Sequence, residues 1–218
     1  MIKLEELVRP AQAAILVIDV QNDFCHPEGG QAKRGMKIEP CTAVVPSIQR
    51  LIEEGRKAGV PVIFIRNGHN RWTRSEAWRN KKGEGSSKFP PICEEGTFGA
   101  EFYRIKPLPG EPIVIKYRFS GFIGTNLDLV LRNAGIKTVI MSGVTTNTCV
   151  ESTARQAFML DYNVVFLSDC TATHKVEEHK ATLHNIELNF GFVHSSDELF
   201  KIWAALPSAK VKVGAARG

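Results

Sequence analysis

Short, almost purely apolar runs alternate along this chain with stretches of helical periodicity, and few architectures tolerate that alternation. The first run, Ala13-Ala14-Ile15-Leu16-Val17-Ile18, stops at Asp19. With no polar position it has no solvent face, so it predicts a central strand covered on both sides. Residues 41–58 follow with Val44, Val45, Ile48, Leu51 and Ile52 on one helical stripe, Pro46 tolerated near the start and Gly59 at the end. The pattern then repeats. Strands are expected at 60–65, 112–115 (ending at Lys116), 138–141, 163–167 and 192–193. Helices are expected at 126–133, 148–161, 177–190 and 196–205, the last with Ser196 as its N-cap. The result is an α/β chain with a mostly parallel sheet and helices on both faces. Residues 67–111 break the rhythm. They are polar and rich in Gly and Pro, with room for one short helix at 100–104, and so long a connection is usually functional.

One corner of this pattern carries chemistry. The strand Thr138-Val139-Ile140-Met141 runs through Ser142-Gly143-Val144-Thr145-Thr146-Asn147-Thr148 to Cys149, and Val150, Ala154, Ala157 and Phe158 then recur at helical spacing. Cys149 therefore falls in the first turn of a helix. Unpaired backbone N–H groups and the helix dipole favour a thiolate there, and the same groups can hold an oxyanion. In open α/β sheets sites form beyond the carboxyl ends of the strands. Asp19, Lys116 and Cys149 all fall at such ends. Alone, Asp19 reads more readily as a turn residue and Lys116 as a solvated one, and Cys149 as readily as a packing residue; three at one edge point to a site.

The bulk numbers remove other classes. A chain of 218 residues, 43% hydrophobic, suits one domain with a full core. No apolar run approaches the roughly 18 residues of a membrane span, and the segment from Met1 to Glu6 lacks a signal peptide's apolar stretch, so the cytoplasm is expected and no membrane partner. The five cysteines (Cys25, Cys41, Cys93, Cys149, Cys170) include no close pair, which argues for reduced thiols and against structural zinc. The net charge of +5 gathers at Arg66, Arg71, Arg74, Arg79, Lys81, Lys82 and Lys88, and in a tail with Lys210, Lys212 and Arg217. No nucleic-acid motif accompanies these cations, so they read as solvated surface with one or two serving an anionic substrate. No Gly-x-Gly-x-x-Gly follows the first strand, which removes a dinucleotide site.

Three motifs carry a resemblance: Val17-Ile18-Asp19-Val20-Gln21-Asn22-Asp23-Phe24, Ile115-Lys116-Tyr117-Arg118-Phe119-Ser120-Gly121-Phe122, and Gly143-Val144-Thr145-Thr146-Asn147-Thr148-Cys149-Val150. Together they resemble the isochorismatase-like, or cysteine, hydrolase superfamily over nearly the whole chain. The resemblance implies a Rossmann-like three-layer α/β/α fold, with residues 1–206 as one domain and 207–218 as a basic tail. It implies a catalytic triad of Asp19, Lys116 and Cys149. It also implies a cis peptide between Val144 and Thr145, an oxyanion hole from the Thr145 and Cys149 N–H groups, and a homodimer or tetramer. The ammonium and the helix N-terminus are expected to lower the thiol's pKa. Cys170, after another strand, is a rival nucleophile with no evident acid–base partner.

Nicotinamidases of this superfamily carry an Asp-x-His…His zinc site after the second strand. Here that loop reads Arg66-Asn67-Gly68-His69-Asn70-Arg71-Trp72, with one histidine, so no metal and no cofactor is expected. His69 is left as a pocket or a surface residue. Local matches bring the chain closest to the ureidoacrylate amidohydrolase branch: Asn67-Gly68, the Lys116 motif, Cys149-Val150-Glu151-Ser152-Thr153, and Asn185-Ile186-Glu187 with Phe190-Gly191-Phe192-Val193. Phe119 stands where that branch usually has Tyr. The expected partner is a small ureido, carbamoyl or amide substrate, cleaved through a thioester. Asn67 suits its ureido end, Arg71 or Arg118 a carboxylate, and Phe24, Trp72, Phe119, Ser120 and Phe122 are further wall candidates, with Phe24 and Phe122 equally suited to the core. Biuret, triuret and N-carbamoyl amino acids are rival substrates. An isochorismatase or a catalytically silent binding protein is disfavoured by the intact triad.

Overall fold

A computed structural model describes residues 2–82 and 91–206. The chain builds a six-stranded sheet from β1 (Ala13–Ile18), β2 (Val62–Asn67), β3 (Ile113–Lys116), β4 (Thr138–Val144), β5 (Asn163–Ala172) and β6 (Phe192–His194). The order is β3-β2-β1-β4-β5-β6 and every pairing is parallel. All six residues of β1 are buried, as its unbroken apolar run requires. Its side chains alternate between two cores. Ala13, Ile15 and Val17 join one; Ala14, Leu16 and Ile18 join the other.

Helices cover both faces. On the first lie α1 (Val45–Ala58), with Val45, Ile48, Leu51 and Ile52 turned inward, and α5 (Ser196–Ala205), with Leu199 and Trp203. On the second lie α2 (Leu127–Asn133), α3 (Glu151–Met159) and α4 (Val176–Asn189), which contribute Leu127, Leu131, Ala154, Ala157 and Ile186. Ile48 and Leu51 are wholly buried, worth about 1.5–3 kcal/mol each, so Leu51→Ala would cost roughly 2–5 kcal/mol. Gly59 ends α1 at φ 77°, where its N–H meets the Arg56 carbonyl at 3.1 Å.

Strands β1 and β4 lie side by side, yet the crossovers leave them in opposite directions. The crevice above their carboxyl ends is the topological switch point of the sheet. Register then sets the neighbours: Lys116 of β3 pairs with Asn67 of β2, and Ile18 of β1 pairs with Ile65 and Gly143. Gly143 has φ 114°, and a Cβ there would run into the Ile18 carbonyl, so only glycine lets β4 approach β1 this closely.

Several expectations need correction. The stretch 41–58 is two helices, Glu39–Ala43 and α1, because Pro46 has no N–H to continue the first into the second. No helix forms at 100–104; a 3-10 turn at Phe98–Ala100 and a helix at Glu76–Lys82 stand in the long connection instead. Strands β2, β4 and β5 run past their apolar cores into polar residues, since the neighbouring ladders satisfy those backbones. The N-cap of α5 is Ser195, closed by a capping box with Glu198, while Ser196 Oγ donates to Asp169 at 2.6 Å. Lys88 and the tail with Lys210, Lys212 and Arg217 lie outside the described residues.

Candidate active site

Residues 19–24 do two jobs. Asp19 sits one residue past β1 with φ 53°, an uncommon backbone for a residue with a side chain. Gln21 then stitches the crevice together: its Nε2 donates to the carbonyls of Asn67 (2.9 Å) and Ala100 (2.8 Å), and its Oε1 accepts the Asn67 N–H (2.8 Å). Asp23 accepts the N–H groups of Gly30 (2.7 Å) and Cys93 (2.6 Å). The first motif thus supplies one candidate for chemistry and two clamps that hold the long connection over the site.

Asp19, Lys116 and Asn67 meet as the register demands. Lys116 Nζ lies 2.8 Å from Asp19 Oδ2, both side chains wholly buried. Asn67 donates from Nδ2 to the same oxygen (2.8 Å) and accepts Lys116 Nζ on Oδ1 (3.2 Å). A third bond takes Nζ to the Arg118 carbonyl at 3.1 Å. Asp19 Oδ1 is buried and has no partner within hydrogen-bonding geometry. The Cys149 thiol lies against this pair and feels both charges.

Cys149 is not in an α-helical first turn. It lies in a wide π-type turn, Thr146–Val150, ahead of α3, where the Thr145 carbonyl accepts the N–H groups of Thr148 and Val150, each at 3.2 Å. The peptide between Val144 and Thr145 is cis. Side chains brace this turn from behind. Thr146 Oγ1 bonds His179 Nδ1 (2.9 Å), Asn147 Nδ2 donates to Glu178 (2.9 Å), and Thr173 Oγ1 donates to Asn147 Oδ1 (2.7 Å). Thr153 Oγ1 donates to the Cys149 carbonyl at 2.7 Å. Helix α4 is therefore tied to the turn that carries Cys149, a role its sequence does not announce.

Electrostatics correct the expected thiolate. Burial, and after it the Asp19 charge, push the Cys149 thiol up to about 12, more than Lys116 pulls it down. Both effects favour the thiol over the thiolate. Burial also raises the Asp19 carboxyl above its ordinary range, against the pull of Lys116. Burial alone would lower the Lys116 ammonium, but Asp19 and Cys149 together hold it above its usual value. An ion pair beside a neutral thiol is the state these shifts favour. Cys170, the rival, is also pushed up by burial and faces Asp169.

A cavity of about 70 Å³ opens on Cys149 and Thr145. Asn67, Phe24 and Phe119 line it, as the sequence suggested. Asn67 spends one N–H and its carbonyl on the ion pair, so it positions Asp19 and Lys116 before it reads any ligand. Arg71 and Trp72 are corrected: both are exposed, the guanidinium stacked 4.4 Å from the indole, and neither lines the cavity. Ser120 and Phe122 are buried away from it, Ser120 Oγ accepting the Phe122 N–H at 3.2 Å. Arg118 spends Nη1 on the carbonyls of Thr73 (2.9 Å) and Tyr117 (2.6 Å). Thr148 adjoins Cys149 in the wall, and Gln31, Arg34, His69, Trp78 and Ile92 complete it. Of these five only His69 stands out in the sequence; the others come from segments with no local signal. Among the described residues no group of three or more His, Cys, Asp or Glu side chains could hold a metal ion, and no helix is long and apolar enough to cross a membrane.

Known proteins resemble this chain over most of its length. An isochorismatase domain profile matches residues 13–198. The ureidoacrylate amidohydrolase of Azorhizobium caulinodans is 31% identical over 211 residues, covering 90% of this chain and 92% of the relative. An isochorismatase-like hydrolase structure from Alkaliphilus metalliredigens is 32% identical with a TM-score of 0.76, covering 88% of this chain and 99% of that one. A cysteine hydrolase structure from Pseudomonas syringae pv. phaseolicola is 26% identical with a TM-score of 0.81, over 91% of this chain and 95% of that one.

Proposed function

The chain belongs to the isochorismatase family, and from that premise we propose a cysteine-dependent amidohydrolase that cleaves a C–N bond of a small ureido, carbamoyl or amide substrate through a thioester. The observation that carries this reading is the wholly buried Lys116–Asp19 pair set against the Cys149 thiol. Asp19 is the base. Its raised pKa and the unpartnered Oδ1 suit it to take a proton from a thiol that burial keeps protonated. As Cys149 Sγ attacks the carbonyl carbon, its proton passes to Asp19, and Lys116 stays charged beside both. The oxyanion of the tetrahedral intermediate is held by the N–H groups of Thr145 and Cys149, each donor worth roughly 2.7–4 kcal/mol in such sites.

Asp19 then gives the proton to the leaving nitrogen, the C–N bond breaks, and an S-acyl enzyme remains. Water attacks that thioester with Asp19 again as base, releasing the acid and restoring the thiol. For a ureido substrate the acyl group is carbamoyl, so the products are an amine and carbamate, which decays to ammonia and carbon dioxide. The small cavity suits a compact substrate. The same reading has the enzyme work as a homo-oligomer, which light scattering on the purified protein tests.

The test of function is ammonia release from 3-ureidoacrylate, 3-ureidopropionate, N-carbamoylsarcosine and biuret, followed by acid quench and mass spectrometry of the Cys149 peptide. A carbamoyl or acyl adduct on Cys149 during turnover is expected. Cys149→Ala is expected to lose at least about 10⁴-fold in kcat/KM; retention of most of the rate would sink the scheme.

A further inference from the structure

His69 is 2% exposed, and its Nδ1 is buried without a hydrogen-bond partner. Its backbone is fixed on both sides. The N–H donates to the Cys93 carbonyl at 2.8 Å, and the carbonyl accepts the Glu95 N–H at 2.9 Å. The ring leans on Trp78, with centroids 5.0 Å apart, and Trp78 leans on Phe119 at 5.1 Å. All three rings line the cavity that opens on Cys149. Burial, and then the cations Arg74, Lys116 and Arg118, pull the imidazole's pKa down to about 4. The ring is therefore neutral at neutral pH, with one nitrogen a donor and the other an acceptor. Native proteins leave few buried polar atoms unpaired, because each forfeits its bonds to water. One left unpaired in the wall of a substrate cavity is placed to be satisfied by the ligand.

Resting on the amidohydrolase reading, we propose that His69 is a specificity-determining residue that hydrogen-bonds the uncharged carbamoyl or carboxamide group of the substrate as it reaches Cys149. A urea or carboxamide brings N–H donors, a carbonyl acceptor and no charge, which is what a neutral imidazole can pair with. An ammonium in that place would meet three cations instead. A hydrocarbon would leave Nδ1 bare, and a site built to pair a polar group rejects the analogue that lacks it more strongly than it rejects a change of size.

Two variants of the full chain test this, His69→Leu and His69→Gln. With whichever of the four ureido compounds above the wild type hydrolyses fastest, His69→Leu is expected to lower kcat/KM by about tenfold or more. His69→Gln, which keeps a donor and an acceptor, recovers most of it. A second readout needs no turnover. Labelling of Cys149 by iodoacetamide, which carries a carboxamide, slows in His69→Leu, while labelling by methyl methanethiosulfonate, which carries none, stays within about twofold. A merely structural role would slow both reagents together. Equal slowing of both, or an unchanged iodoacetamide rate, overturns the proposal. If the wild type hydrolyses none of the panel, the amidohydrolase reading fails, and the pair of labelling rates still decides the role of His69.

Discussion

The floor of the cavity and its wall are built by different rules. On the floor, Asp19, Asn67 and Lys116 stand at the ends of three adjacent strands, and their distances follow from the sheet register. Each side chain there is 5% exposed or less and bonded to another of the three. The wall comes from residues far apart in the chain, such as Gln31, His69, Trp78 and Phe119, held by ring contacts and loop hydrogen bonds. A ladder fixes positions to a fraction of an ångström and leaves little room for variation. A wall of stacked rings can change residue by residue while the floor stays as it is. Chemistry placed on the first and recognition on the second can therefore diverge independently.

The sharpest way to break this contrast is at the floor. Lys116→Met leaves the Asp19 carboxylate buried without its cation. Removing one partner of a buried pair costs roughly 3–5 kcal/mol, so a fall in the thermal midpoint of several degrees is expected together with a loss of at least about 10³-fold in kcat. A variant that melts with the wild type would show that the floor is less coupled than its geometry implies. The pH profile is the next test. In the proposed mechanism Asp19 is a carboxylate when it accepts the thiol proton, and burial raises its pKa above the 3.8 of an ordinary aspartate. Activity is thus retained above that raised value and lost as pH falls through it, so the acid limb of kcat/KM lies above the ordinary carboxylate range. A limb at or below 3.8 would remove Asp19 as the base. The smallest effects belong to the wall. Trp78→Ala removes a ring that bridges His69 and Phe119 and is expected to raise KM by about tenfold, with kcat changing less. Trp72→Ala, at a side chain 81% exposed, is expected to leave both within about twofold. Equal effects of the two tryptophans would erase the boundary drawn around the cavity.

Legibility in the sequence follows the same division. The strand cores at 13–18 and 138–141 are apolar over their whole length, so local composition is enough to find them and to mark Asp19 and the Cys149 corner. Their true ends are not local. Strand β4 continues through Ser142 and Gly143 because β1 lies alongside and pairs with both, and no window of residues reports that neighbour. Arg71 as a cation and Trp72 as an apolar wall suit a pocket by residue type, yet the fold leaves both at the surface. Gln31 and Trp78 reach the cavity from segments that carry no signal of their own.

Residue order alone determined the α/β alternation, the parallel sheet and the three strand ends that carry Asp19, Lys116 and Cys149, because hydrophobic periodicity and turn chemistry act over a few residues. Only the tertiary structure decided the charge states and the wall. Cys149 shows why. Lys116, visible in sequence, favours a thiolate, whereas burial among residues from distant segments and the Asp19 charge outweigh it and raise the thiol's pKa. Desolvation depends on everything packed around a group, and that is set when the chain closes.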